Sequence, residues 1–289
     1  MRTHNAAWHD RMYNNRALVP DFADHFAHWR RLSEQARAQR PCVLDVPYGS
    51  GPMETLDIFP AARAGAPVVV FIHGGYWRSL DKSDHSFVAP PLLDMGACVV
   101  VINYALCPGT AAQPVTIPDI ALQCARALAW VWQHIGAHGG QREQISVIGH
   151  SAGGHLAAMM LGCRWRALAP QLPPDLVRKA MSISGLFDLE PVRRTPFVQG
   201  DLRLTPEQVR KASPALWPAP RGRMLYTLVG GDESPEFLRH NTLIHRAWGA
   251  RTVPVCEALP GLNHFSVVSA LTDPAHRLNQ CAAQLLALA

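Results

Sequence analysis

Residues 145–161 read ISVIGHSAGGHLAAMML: a β-branched run, a Gly-His-Ser-Ala-Gly turn at 149–153, and an apolar stretch rich in helix formers. A serine placed between a strand and a helix on so tight a turn has its hydroxyl pushed outward, and small flanking residues let strand and helix approach each other. GxSxG alone would turn up by chance in about one chain in ten of this length, so the strand before it and the helix-compatible run after it carry the reading. Ser151 is therefore the candidate nucleophile.

Working outward, short apolar runs alternate with longer helical patterns, as βαβ units of a mostly parallel sheet do. The strands are expected at Val68–Ile72, Cys98–Asn103, Ile145–Ile148, Ala180–Ile183, Met224–Val229 and Val253–Ala258. Their apolar character on both faces implies helices on both sides. Cys42–Val46 and Glu54–Phe59, around Tyr48-Gly49-Ser50-Gly51, predict an antiparallel edge hairpin. Helices are expected over 118–138, from Ser151, near Pro235, and from Pro274 onward. The expectation is one α/β domain over residues 1–289. Residues 1–40 form a helical extension before any strand, and residues 186–222 a Pro- and Arg-rich insertion. Both are expected over the C-terminal edge of the sheet, shaping a pocket; whether 1–40 act as a lid or a dimer contact is left open.

Directly after the first parallel strand comes His73-Gly74-Gly75-Tyr76-Trp77. Glycines here let the backbone approach a substrate where a Cβ would obstruct it. Gly74, Gly75 and Tyr76, with the N–H of Ala152, are the expected oxyanion donors, each contributing about 10²- to 10³-fold in rate. His73 is read as a structural histidine; Tyr76 and Trp77 suit pocket lining and packing equally, and Trp77 is placed with Phe265 at the substrate pocket.

A serine hydroxyl needs a histidine to accept its proton, and the histidine needs a carboxylate to fix its tautomer. Gly230-Gly231-Asp232-Glu233-Ser234 follows a strand, and Gly261-Leu262-Asn263-His264-Phe265 follows the last one. Asp232 is the expected acid, preferred to Asp188, and His264 the expected base, with Phe265 beside the pocket. Glu233 is read as a solvated charge, His150 and His155 as packing residues. His25 with His28, and His134 with His138, share helical spacing but lack a third ligand, so no metal is expected.

The net charge of +5 comes from scattered arginines rather than a basic run, which argues against a nucleic-acid partner. Seven dispersed cysteines without a CxxC pair fit a reducing compartment. No apolar run reaches the roughly 18 residues of a membrane span, and a cytoplasmic protein without cofactor is expected.

The order HGGYW, GHSAG, GGDES, GLNHF resembles the hormone-sensitive-lipase-like branch of α/β-hydrolases, and within it the kynurenine formamidase (arylformamidase) group and neighbouring bacterial carboxylesterases. The resemblance covers about residues 42–289. It implies an α/β-hydrolase fold, a Ser151–Asp232–His264 triad, and hydrolysis of a small acyl substrate, an ester or an arylformamide such as N-formylkynurenine. HGGYW stands where lipases of the branch have HGGG, closer to the formamidase pattern. The alternative is a non-catalytic small-molecule-binding protein of the same fold; a complete Ser, Asp and His set argues against it.

Overall fold

Runs of Val, Ile and Phe punctuated by Gly, Pro and Asn become eight strands of one sheet in the computed structural model, which describes residues 4–287. The strands are β1 Val43–Pro47, β2 Thr55–Phe59, β3 Ala66–Ile72, β4 Cys98–Ile102, β5 Gly140–His150, β6 Lys179–Ile183, β7 Met224–Gly230 and β8 Val255–Leu259. Their spatial order is β1-β2-β4-β3-β5-β6-β7-β8. β1 and β2 are antiparallel to their neighbours, and the rest run parallel.

The parallel strands bury both faces. Val68, Val70, Ile72, Val100 and Val147 point into one core, against the helices Ile117–His134, Ala152–Leu161 and Pro235–Trp248. Val69, Phe71, Val99, Val101 and Ile148 point into the other, against Trp29 and the C-terminal helix Arg277–Ala287. Each fully buried Val or Ile contributes about 1.5–3 kcal/mol of transfer free energy, which makes the centre of the sheet a rigid platform.

The boundaries depart from expectation where backbone pairing decides them. β5 reaches back to Gly140, which pairs with Ala66 across an irregularity in the register. β8 begins at Val255, after Pro254, which has no N–H to give to a ladder. The final helix begins at Arg277, because Asp273 accepts the Ala275 N–H and holds the preceding turn.

Three helices precede the sheet: α1 Ala6–Tyr13, α2 Asn15–Leu18 and α3 Phe22–Gln39. On α3 the residues Trp29, Ser33 and Ala36, at helical spacing, are buried. The stretch 186–222 folds into short helices at Glu190–Arg193, Pro196–Leu202 and Pro206–Lys211 and a 3-10 turn at Pro214–Leu216. Among the described residues no helix is long and apolar enough to cross a membrane. All seven cysteines are free.

Candidate active site

Strand register brings Ile72, Ile102, Gly149 and Ile183 to one edge, with Gly230 and Leu259 ending β7 and β8 on the same side. Loops leaving those C-terminal ends therefore converge, which is where open parallel sheets place their sites. Ser151 leaves β5 with φ +57° and ψ −118°, off the allowed regions for an L-residue, and its N–H donates to the Ile183 carbonyl at 2.8 Å. Gly153 makes the turn feasible: a Cβ there would sit 1.9 Å from the Ile72 carbonyl oxygen. Strain of this kind persists only where the surroundings over-determine it, and here two strands and a helix do so.

The Ser151 hydroxyl lies 3.0 Å from His264 Nε2, and His264 Nδ1 lies 2.6 Å from a carboxylate oxygen of Glu233. Ser151 and His264 thus stand in the order expected from sequence, but Asp232 does not face the histidine. The Asp232 N–H donates to Leu262 and the Glu233 N–H to Gly230, so the chain turns after β7 with residue 232 outward and residue 233 inward. Asp232 is exposed, whereas the Glu233 side chain is buried. The extra methylene of glutamate spans the gap to the ring. A buried carboxylate must have its lone pairs met, and Glu233 accepts from the Gly230 N–H at 2.8 Å and from the Ser184 hydroxyl, besides His264. Ser184 follows β6 with φ +54°, a second strained residue aimed into the site. Asp188, the other carboxylate weighed from sequence, accepts the Glu190 N–H instead.

His150 has a role that its place beside the serine did not disclose. Its Nε2 is 2.9 Å from the His264 carbonyl, and because a carbonyl only accepts, that nitrogen carries the proton. Burial, reinforced by the neighbouring His264 and His85, holds its pKa well below the usual histidine value. A neutral ring therefore pins the backbone of the catalytic-base candidate.

The loop after β3 carries four oddities: Gly75, Tyr76, Trp77 and Leu80 all have positive φ. At Gly75, with φ +99°, a Cβ would meet the Ser79 carbonyl oxygen at 2.1 Å. Gly74 packs so closely on the nucleophile that a methyl group there would lie 3.0 Å from Ser151 Cβ. Tyr104 supports the loop from below by donating to the His73 and Gly74 carbonyls at 2.8 and 3.1 Å, and it stacks on the His73 ring. His73 is thus fully buried scaffolding, as read from sequence. Trp77 is a correction: expected at the pocket, it turns into the core and packs edge-on against His155, completely buried. Tyr76 and Trp77 both have positive φ and their rings meet edge-on at 6.2 Å, with Tyr76 on the cavity side.

A narrow cavity of about 30 Å³ adjoins Ser151 and His264. Gly75, Tyr76 and Phe265 line it, together with Asn15, Arg16, Phe26 and Trp29 from the N-terminal helices and Arg78 and Phe197 from the rim. Sequence reading placed residues 1–40 near the pocket without singling out any of these side chains; a helical periodicity shows which face is apolar, not what it covers. The N-terminal helices also bond to both reactive loops. Tyr76 Oη donates to the Tyr13 carbonyl at 2.5 Å, and Ser234 Oγ to the Met12 carbonyl at 2.6 Å.

This geometry can be set beside known proteins. The BD-FAE family pattern matches residues 56–166. Kynurenine formamidase of Danio rerio is 30% identical over 256 residues, covering 86% of this chain and 83% of that one. The chain belongs to the kynurenine formamidase family. An esterase of Mycobacterium tuberculosis is 31% identical over 202 residues, 60% of this chain and 46% of its own. A solved structure from Silicibacter sp. tm1040, of a protein proposed to be a thioesterase, superposes with a TM-score of 0.82 at 28% identity, covering 96% and 98% of the two chains. The protein is a hydrolase of the α/β-hydrolase fold. The BD-FAE match ends before Glu233 and His264, so in this kynurenine formamidase relative the carboxylate and the histidine come from a part of the chain outside that shared segment.

Proposed function

We propose that the protein hydrolyses small acyl substrates, carboxylic esters or arylformamides of the N-formylkynurenine type, through an acyl-enzyme on Ser151. The observation that carries this is the unbroken row from Glu233 through His264 to the Ser151 hydroxyl, with contacts of 2.6 and 3.0 Å. Glu233 accepts a hydrogen bond from His264 Nδ1–H, which fixes the tautomer with Nε2 unprotonated and turned toward the hydroxyl. His264 takes the Ser151 proton as Oγ attacks the carbonyl carbon. The oxyanion forms against the N–H of Ala152, which opens its helix and so has no intrahelical acceptor, and those of Gly75 and Tyr76. His264 then gives its proton to the departing amine or alcohol, and the carbon–heteroatom bond breaks. Water, deprotonated by His264, attacks the acyl-serine and releases the acid, formate in the case of a formamide.

The cavity beside Ser151 is narrow, which favours formyl and acetyl groups over long acyl chains. The aromatic rims of Phe26, Phe197 and Phe265 suit an aryl leaving group. One sheet with a core on each face supports residues 1–289 as one domain, with 1–40 an extension and 186–222 a cap-like insertion. Seven free cysteines suit a cytoplasmic setting.

The test is kcat/KM for N-formylkynurenine beside p-nitrophenyl acetate and butyrate, with Ser151→Ala as control. Turnover that depends on Ser151 and falls from acetate to butyrate is expected. If no substrate is turned over faster by wild type than by Ser151→Ala, the reading is wrong.

A further inference from the structure

The parallel strands have a second end, and it is basic. Register sets Ser146 beside Lys179 and Lys179 beside Met224, where β6 and β7 begin, so these residues stand at the opposite end of the strands from Ser151. A cavity of about 1110 Å³ opens there, larger than the ~300–1,000 Å³ typical of small-molecule sites. Arg178, Lys179, Arg221, Arg223 and Arg251 line it. These arginines are dispersed in the sequence, and backbone pairing collects them. The Met224 N–H donates to the Arg178 carbonyl at 2.9 Å and the Leu225 N–H to the Thr252 carbonyl at 2.7 Å, which ties the three segments side by side.

Their charges are met unequally. Arg178 pairs with Asp175, and Glu143, a carboxylate of the lining, pairs with Arg142. Lys179 donates to the Leu285 carbonyl at 3.0 Å. Arg223 donates to the Leu161 and Pro174 carbonyls at 3.4 and 2.8 Å, which hold its position without neutralising it. Arg221 and Arg251 are exposed and make no ion pair or side-chain hydrogen bond among the described residues. The whole chain carries a net charge of +5, so three arginines without a carboxylate partner around one opening concentrate much of that excess.

Like charges on a concave wall repel one another and focus their field on whatever enters. Buried apolar side chains such as Leu176 and Trp248 also line the cavity, and a lining of low polarizability strengthens that field. Burial lowers the pKa of Arg223, and the nearby Arg178 charge acts in the same direction. One carboxylate would satisfy one guanidinium, whereas three arginines from two loops need several acceptor oxygens in one compact group. Linked phosphates supply them in the geometry that guanidinium forks match. A nucleic acid would instead need an extended basic surface. We propose that this cavity binds a small molecule carrying two or more linked phosphates, held by Arg221, Arg223 and Arg251. The site is separate from Ser151 and does not depend on the hydrolase reading.

Isothermal titration of the full chain with orthophosphate, pyrophosphate and tripolyphosphate at matched ionic strength is the test. Affinity should rise about 10- to 100-fold from orthophosphate to tripolyphosphate as further charge-assisted bonds form. It should fall as KCl is raised from about 20 to about 300 mM. Combining Arg221→Gln with Arg251→Gln should weaken tripolyphosphate at least about 10-fold, and Ser151→Ala should bind it as wild type does. Tripolyphosphate should raise the Tm of wild type and leave that of the double variant unmoved.

Equal affinity for the three anions, affinity indifferent to salt, or affinity that survives in the double variant overturns the proposal. So does loss of binding in Ser151→Ala, which would place the anion at the other end of the sheet. Binding of single-stranded oligonucleotides that keeps strengthening from about 5 to about 30 nucleotides also overturns it, because it marks an extended surface. If the double variant does not fold, Arg221→Lys and Arg251→Lys decide: they keep the charge and lose the fork, so each should weaken tripolyphosphate more than orthophosphate, and an equal loss for both anions rejects the site.

Discussion

Two regions meet at Ser151 and are built on different principles. The sheet-borne half, made of the loops after β3, β5, β6, β7 and β8, is positioned by strand register and strained backbone: Ser151 at φ +57°, Ser184 at φ +54°, and positive φ at Gly75, Tyr76, Trp77 and Leu80. The N-terminal half, α1 to α3, is a set of ordinary helices attached by side chains. Tyr13 Oη donates to Glu236 at 2.6 Å, Trp29 Nε1 to Ser269 at 3.0 Å, and Ser33 Oγ accepts the Phe87 N–H at 3.1 Å. The difference teaches a division of labour: the Glu233–His264–Ser151 row needs atoms fixed to fractions of an ångström and sits on the rigid sheet, while the helices that line the cavity are attached to it from outside by side chains.

That division can be broken most sharply on the sheet side. Ser151→Ala should lower kcat by about 10⁴- to 10⁶-fold, and Glu233→Gln by about 10³- to 10⁴-fold, with KM little changed in both. Asp232→Asn should stay within about threefold of wild type, since Asp232 is exposed and turned from the histidine. Steady-state kinetics on one ester would check all three, and equal losses at 232 and 233 would return the acid role to the aspartate.

On the N-terminal side, Trp29→Ala should cost about 3–5 kcal/mol of stability by opening a cavity among Phe26, His85, Phe87, His150 and Phe265. Denaturant unfolding measures it, and a loss under about 1 kcal/mol would mean that the helix is only draped on the sheet. Tyr13→Phe should cost about 1–3 kcal/mol, by removing a buried hydroxyl from Glu236 and His240. It should leave kcat within about threefold, because neither partner belongs to the reactive row.

The subtlest effect to isolate is a pH slope. Burial holds His85 down to about 3 and His155 down to about 4. Unfolded, both would titrate near 6.5, so below that pH the unfolded state binds more protons and stability falls as the solution is acidified. Each histidine should contribute a loss of about 1.4 kcal/mol per pH unit between 6.5 and its folded value. Denaturant melts at pH 7, 6 and 5 would show it, and His155→Gln should remove one proton's worth of slope.

What could be read in advance followed the same division. Ser151, His264 and the Gly74–Gly75 loop were legible because glycine spacing and order along the chain survive in one sequence, and the strands because apolar runs must be buried on both faces. The choice between Asp232 and Glu233 was not legible. Adjacent residues on a turn point opposite ways, and the direction is set by the bonds from Asp232 to Leu262 and Glu233 to Gly230, which pair distant positions. Trp77 misled for a related reason, since a positive φ in a non-glycine residue leaves no mark on composition.

The carbonyls of Met12 and Tyr13 are held by Ser234 and Tyr76, and the Tyr13 hydroxyl by Glu236, more than 220 residues later in the chain. During synthesis α1 therefore lacks its partners Ser234 and Glu236 until some 220 further residues have been made, and His264 arrives later still. A nascent chain stalled short of that point holds the strained serine turn but no proton acceptor and no closed pocket. Hydrolytic activity should therefore switch on only when the segment carrying Glu233 and His264 has left the exit tunnel and folded, so that no half-built hydrolase acts before its pocket is closed.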